Sequence, residues 1–372
     1  MAAANLLSRP AAGLRSAARS VLRGRLLRIV VVLLLVAGGV GGWWVSSARS
    51  SSGPHGRVAF ATGVDGGVYD RYGVLLQQYL GDHMPGLKVQ LDNSEGSLDN
   101  LERLVSGRDD FAVATADAVA TFDNPGKPKL RAIARLYDDY MQLVVPAGSP
   151  VHSVADLRGL RVGVGQAKSG VNLVTRRLLE AAGLDPDKDV RPAPVSVVQA
   201  ADGLQRKELD AFFWSGGLPT TALSNLSEHV PIRIVPMGDL SDPLHRLAGP
   251  GMDAYRAATI PADAYPNVEP ERTPVPTVAV PNLLVTRADV DPALVEALTR
   301  AVIDSRDDIG RQVHAAQLVD LRTAVYTDPL PLHDGAKRYY LWNSTHPTDA
   351  TPPPGPQHSD TARRPVGRCR ER

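Results

Sequence analysis

Between residues 57 and 342 the chain alternates between two hydrophobic periods. Apolar runs of strand length lie at 57–62, 87–91, 111–115, 131–136 and 141–145. Between the first two, Val68, Tyr72, Leu75, Leu76, Tyr79 and Leu80 recur at the spacing of one helical face. Beyond the second, Leu98, Leu101, Leu104 and Val105 share a face. Ser97 is expected to cap that helix and Gly107 to stop it. After Pro146 a second series begins. Its pattern predicts a short helix over 153–158, strands over 160–165, 195–198, 210–214 and 232–236, and a helix over 171–182. A proline-rich stretch, 261–281, leads to a strand over 282–286 and a last long helix over 292–309. No repeat of fixed period occurs.

This alternation is that of α/β lobes with largely parallel sheets. A chain of 372 residues exceeds what one ordinary core holds, so two lobes are expected. Lobe one takes residues 57–147 and the return segment 271–342; lobe two takes 148–270. Extended segments near Pro146 and near Pro270 to Pro276 would carry the chain between them and form a hinge beside an interlobe cleft. Ligands of open α/β sheets sit beyond the carboxyl ends of the strands, so the glycine-rich strand exits should face that cleft.

The N-terminus adds a different element. No Asp or Glu precedes Asp65, and Arg9, Arg15, Arg19, Arg23, Arg25 and Arg28 lead into an apolar run at 29–45 that ends with Trp43 and Trp44. One reading is an uncleaved single-pass anchor, with the Arg-rich lead 1–28 in the cytoplasm and the Trp pair at the outer interface. The other is a long signal peptide cleaved near residues 46–48. The long charged lead favours the anchor, although the run is shorter than the ~20 residues that cross a bilayer core. Either reading places everything after about residue 50 outside the cytoplasm. Residues 46–56 read as a tether. The Pro- and Arg-rich tail, 343–372, cannot bury a core and is expected to be disordered.

The chemistry the chain lacks narrows its function. A formal net charge of +1 gives no ground for nucleic-acid binding. The only cysteine, Cys369, excludes an internal disulfide, a Cys-rich zinc site and a lipidated N-terminal cysteine. Gly63-x-x-Gly66-Gly67 is not the dinucleotide fingerprint, and Ala167 stands where a P-loop needs glycine before its lysine. No G-x-S-x-G elbow occurs. Asp185-Pro-Asp187-Lys-Asp189 fails as a calcium loop, because Val190 occupies its glycine position and Ser196 its twelfth. The histidines form no H-x-x-x-H pair. No catalytic residue, metal ligand or cofactor is assigned. What remains is four glycine-rich strand exits with neutral polar residues, at 62–69, 94–100, 163–170 and 214–220, and these describe a binding cleft.

Eight blocks in this region resemble, in order, those of TAXI-type solute receptors of TRAP transporters. They include Ala61-Thr-Gly-Val-Asp-Gly-Gly-Val-Tyr69, Gly96-Ser-Leu-Asp-Asn-Leu101 and residues 112–117. Leu157-Arg-Gly-Leu-Arg-Val162, Ser169-Gly170 and residues 216–219 follow. Ile260-Pro-Ala-Asp-Ala-Tyr-Pro266 and Pro331-Leu-His-Asp-Gly-Ala-Lys-Arg-Tyr-Tyr340 complete the series. The resemblance implies a two-lobe periplasmic-binding-protein type II fold, a glutamate-like amino acid or carboxylate as ligand, and delivery to TRAP membrane subunits. It also implies contacts from Gly63, Gly67, Tyr69, Ser97 and Asn100 on lobe one, and from Ser169, Gly170, Gly217 and Pro219 on lobe two. The chain departs from the pattern where Asp70 replaces a second Tyr, Glu95 a Gly, Lys168 a Gly and Val171 a Thr. Lys168, at a helix start that already favours an anion, is expected to meet a ligand carboxylate. Solute capture for uptake is the leading function. A ligand-sensing ectodomain acting through a partner and an anchored extracytoplasmic hydrolase stay open beside it.

Overall fold

A computed structural model describes residues 54–265, 267–269 and 273–345. The expected Arg-rich lead, the apolar run 29–45, most of the tether and the tail beyond residue 345 lie outside the described residues. Among the described residues no helix is long and apolar enough to cross a membrane.

Among the described residues ten strands form one hydrogen-bonded system. They are β1 (Gly56–Ala61), β2 (Leu87–Asp92), β3 (Phe111–Thr115), β4 (Leu130–Pro146), β5 (Arg161–Gly163), β6 (Arg191–Ala193), β7 (Ala211–Gly216), β8 (Ile232–Val235), β9 (Arg256–Ile260) and β10 (Val275–Arg287). Their order is β2-β1-β3-β10-β4-β7-β5-β6, with β8 on β4 and β9 on β10. β2, β1 and β3 run parallel to one another in one half, and β6, β5 and β7 in the other. The two long strands, β4 and β10, are antiparallel and thread both halves. The first part of β4 and the last part of β10 pair with each other, and β10 there also pairs with β3. The last part of β4 pairs with β7 and β8, and the first part of β10 with β9.

The crossing between lobes therefore lies inside two strands. Residues 131–136 and 141–145, which the sequence pattern separates, are one strand. Residues 282–286 are the end of a strand that begins at Val275. The expected extended connectors near Pro146 and near Pro270 to Pro276 are not where the lobes join; β4 is still paired with β8 at Pro146. Register shifts mark the crossing. Pro281 pairs with Asp138 and Leu283 with Arg135, so Leu136 and Tyr137 stand against Asn282 alone. Such bulges bend a strand and re-aim its side chains.

Each lobe buries both faces of its half-sheet. In lobe one, Phe111 and Val113 face one core with Tyr72, Leu76 and Leu80, while Ala112 and Ala114 face another with Leu101 and Leu104. In lobe two, Val162, Phe213 and Leu178 share one core, and Phe212, Leu204 and Leu223 the other. Helix α1 (Val68–His83) shows the logic. Tyr72, Leu76 and Leu80, four residues apart, are all buried, and each leucine is worth about 1.5–3 kcal/mol of transfer.

Two helices open lobe one's remaining crossovers, α2 (Ser97–Ser106) and α3 (Ala116–Thr121); in lobe two the counterparts are α4 (Gly170–Ala181) and α5 (Val197–Gln205). Gly107 ends α2 in the left-handed conformation, φ 74, with its amide on the carbonyls of Arg103 and Leu104. Three local expectations change. The strand expected over 195–198 is the start of α5, where Ser196 and Gln199 form a capping box. Ser97 does not cap α2; Gly96 is the N-cap and no side chain caps it. The long helix expected over 292–309 breaks at Ser305 into Pro292–Asp304 and Arg306–Gly310.

Candidate functional site

The carboxyl ends of β1, β3, β5 and β7 and the starts of α1, α2, α4 and α5 surround a cleft between the lobes. It encloses about 540 Å³, part of it open to solvent. The N-caps of all four helices, Gly67, Gly96, Ser169 and Ser196, line it. Ser169 caps α4 by accepting from the Asn172 amide at 3.1 Å and donates its own proton to the Gln166 carbonyl at 2.6 Å.

Lobe one contributes a connected polar floor. The Thr115 amide donates to Ser97 Oγ at 3.1 Å, and the Tyr69 hydroxyl lies 3.5 Å from the same oxygen. The Tyr69 hydroxyl donates to Asn282 Oδ1. Burial, then the neighbouring Asp139 charge, pushes the Tyr69 phenol well above its ordinary pKa, so it remains a donor. Asp139 sits at the crossing in β4. It is 3% exposed, lines the cleft, and its Oδ1 has no hydrogen-bond partner. Burial raises its carboxyl from the ordinary 3.8 to about 7, with Asn282 and Tyr69 opposing the rise and Asp138 and Asp117 adding to it.

Lobe two contributes Gln166, Ser169, Gly170, Val171, Trp214 and Ser215. Trp214 is an apolar wall held at its edge, because its indole N–H donates to Thr220 Oγ1 at 3.0 Å. Gln166 Oε1 and Ser215 Oγ are buried without partners.

The lobes touch at the rim. The Lys168 carbonyl accepts the Leu98 and Asp99 amides, at 3.0 and 3.2 Å, so lobe two satisfies the first turn of α2. Close approach requires glycine on both sides. A Cβ on Gly96 (φ 125) would stand 3.2 Å from Ser169 Cα, and one on Gly170 would stand 2.9 Å from Ser97 Oγ. Farther along, the Tyr255 hydroxyl donates to buried Asp117 at 2.8 Å.

Of the residues singled out in the sequence, Gly63, Gly67, Tyr69, Ser97, Ser169 and Gly170 come together in this cleft. Asn100 does not line it. That residue is fully buried, and its Nδ2 donates to the Thr62 and Val113 carbonyls, both at 2.7 Å, tying α2 to β3 and to the loop after β1. The Lys168 side chain does not enter the cleft either. Its ammonium is half-exposed and pairs with Glu102 at 2.6 Å, while its amide donates to Glu95 at 3.2 Å. Gly217 and Pro219 line a neighbouring groove with Arg71 and Gln312.

Sequence reasoning missed Asp139, Thr115, Gln166, Trp214, Ser215 and Asn282. For Asp139 a signal existed: two adjacent acids, Asp138 and Asp139, stand between two largely apolar runs. Trp214, Ser215 and Gln166 lie within the strand-exit loops already marked, but nothing local tells which of their side chains face inward.

The chain belongs to the NMT1-like family, whose model matches residues 60–341. Solved structures similar to it include the periplasmic aliphatic sulphonate binding protein SsuA from Escherichia coli, at 17% identity over 77% of this chain and 83% of that one, with a TM-score of 0.40. A putative L-cystine ABC transporter protein from Listeria monocytogenes matches at 15% identity over 70% and 97%, TM-score 0.44. The alkanesulfonate-binding protein SsuA from Xanthomonas axonopodis pv. citri matches at 16% over 78% and 84%, TM-score 0.44. Two α/β lobes threaded by two shared strands make the fold periplasmic-binding-protein-like.

Proposed function

We propose that this chain is an extracytoplasmic solute-binding protein that captures a small polar solute between its lobes for uptake and catalyses nothing. One observation carries the reading: the cleft takes lining residues from both lobes, which β4 and β10 join and which touch at the rim. Neither lobe alone surrounds the solute, so binding would favour the state in which they meet. We extend the reading to export or anchoring by the 29–45 segment and to handover to membrane subunits. TRAP-type subunits are the partner implied by the residue blocks that resemble TAXI receptors, which also point to a glutamate-like amino acid or a carboxylate.

Mass spectrometry of small molecules released on denaturing the purified protein tests capture directly. Small-angle scattering tests the clamp, with a smaller radius of gyration expected on adding the released solute. An unchanged radius at saturation argues against lobe closure. A protein that carries nothing, and is stabilised by nothing in a broad metabolite screen, argues against capture.

A further inference from the structure

The side chains lining the cleft carry two carboxylates, Asp139 and Glu95, and no Lys, Arg or His. The cation expected there, Lys168, is directed to Glu102 on the rim. Glu95 is partly engaged by the Lys168 amide. Asp139 is different. It lies deep at the strand crossing with one oxygen lacking a partner, and Gln166 Oε1 and Ser215 Oγ are buried around the same cleft in the same condition. With Asp139 ionised, its oxygen and Gln166 Oε1 can only accept a hydrogen bond, and the hydroxyl can do so as well; Asn282 Nδ2 is a donor without a partner beside them. A buried carboxylate without a cation is costly, as are buried acceptors without donors.

A solute that cancelled those costs would bring positive charge and several N–H donors. A second carboxylate or a sulphonate would bring the opposite: like charge toward Asp139 and more acceptors facing acceptors. The four helix starts leave room for one anionic group on the solute, held by main-chain amides and the positive ends of the helices. They do not supply a counter-charge for a dianion.

Resting on the solute-capture reading above, we propose that the solute is a protonated amine of net charge zero or above, and that Asp139 is the residue that selects it. This separates the chain's solute from the glutamate-like or dicarboxylate ligand that the sequence resemblance implies. Trp214 also lines the cleft and adds an aromatic ring, of the kind that attracts cations, to a lining without cationic side chains.

The test is calorimetry on the purified full chain with putrescine, L-lysine, L-serine, L-glutamate, succinate and ethanesulphonate, beside mass spectrometry of whatever the protein releases on denaturation. The tightest binder, or the released molecule, is expected to be an amine of net charge zero or above. N-acetylating that amine should weaken binding roughly 30-fold or more, the loss expected for one charge-assisted contact. Asp139→Asn should erase the difference between the amine and its N-acetyl derivative. The comparison of the two compounds on the unaltered chain decides the matter even if that variant does not fold. Tightest binding by glutamate, succinate or ethanesulphonate, or an N-acetyl derivative that binds as well as its amine, overturns the inference and leaves solute capture standing. No binding across the panel with an anion among the released molecules does the same. No binding and nothing released overturns solute capture, and this inference with it.

Discussion

The two rims of the cleft solve the same problem differently. On lobe two, α4 and α5 begin with Ser169 and Ser196, whose hydroxyls accept the Asn172 and Gln199 amides within their own helix. On lobe one, α2 begins at Gly96 with no side-chain cap, and its Leu98 and Asp99 amides find their acceptor on Lys168, across the cleft. Lobe two caps its own helices with side chains, whereas α2 of lobe one takes an acceptor from across the cleft. The floors differ in degree. Lobe one's Tyr69, Ser97, Thr115 and Asn282 Oδ1 bind one another and leave Asn282 Nδ2 and Asp139 Oδ1 without partners, while lobe two's Gln166 Oε1 and Ser215 Oγ both lack partners. Lobe one reads as a set frame, and closure brings the remaining acceptors onto the solute.

The largest effect should come from the acid at the crossing. Its carboxyl has a folded pKa of about 7 against an ordinary 3.8, so the folded chain binds more protons than the unfolded one between about pH 4 and 7. Stability of the solute-free protein should therefore fall as pH rises through that window. The titratable groups facing Asp139 are Tyr69 from α1, Tyr137 and Asp138 from β4, Asp117 from α3 and Glu95 before α2; none is a cation that would reverse the sign. Asp139→Asn should remove the penalty and stabilise the solute-free protein by roughly 2–4 kcal/mol at about pH 8, with little gain near pH 4. Urea unfolding at the two pH values checks this. An equal change at both would mean that the buried charge is not its source.

Next in size is the contact that lets the rims meet. Gly170→Ala places a methyl group against Ser97 Oγ and 3.0 Å from Thr115 Oγ1, inside the seam. Alanine suits the first turn of a helix, so lobe two should fold as before while the lobes seat poorly. Solute affinity is expected to drop about tenfold to a hundredfold, with a larger radius of gyration in the presence of solute. Normal affinity and a normal radius would show that the rim contact is not needed for capture.

The smallest effect belongs to the Lys168 side chain. Its pair with Glu102 is half in solvent, and such pairs contribute little. The contact that completes α2 is the Lys168 carbonyl, which Lys168→Ala leaves in place. Affinity should change by less than about threefold. A loss of tenfold or more would return the ammonium to the binding chemistry.

The sequence by itself determined that the region is α/β and that strand exits rich in glycine should face one place. Those features are local: apolar period, turn glycines and helix starts leave their mark within a few residues. The grouping of Gly63, Gly67, Tyr69, Ser97, Ser169 and Gly170 came instead from the resemblance to TAXI-type receptors, which also named Asn100, Gly217 and Pro219. Where the chain changes lobes was not legible. Asp138 and Asp139 look like a break between two short strands because a strand buried on both faces is normally apolar throughout. Their place inside a continuous β4 depends on pairing with β10, more than a hundred residues away. The same pairing decided what Asp139 faces. Only the tertiary structure could assign Asn100 and Lys168 as well. Asn100 serves carbonyls of β3 and of the loop after β1, and Lys168 spends its charge on a glutamate from the opposite lobe. A helix start reveals that amides are available, but their acceptors, and the direction of each long polar side chain, are set by whatever the fold brings alongside.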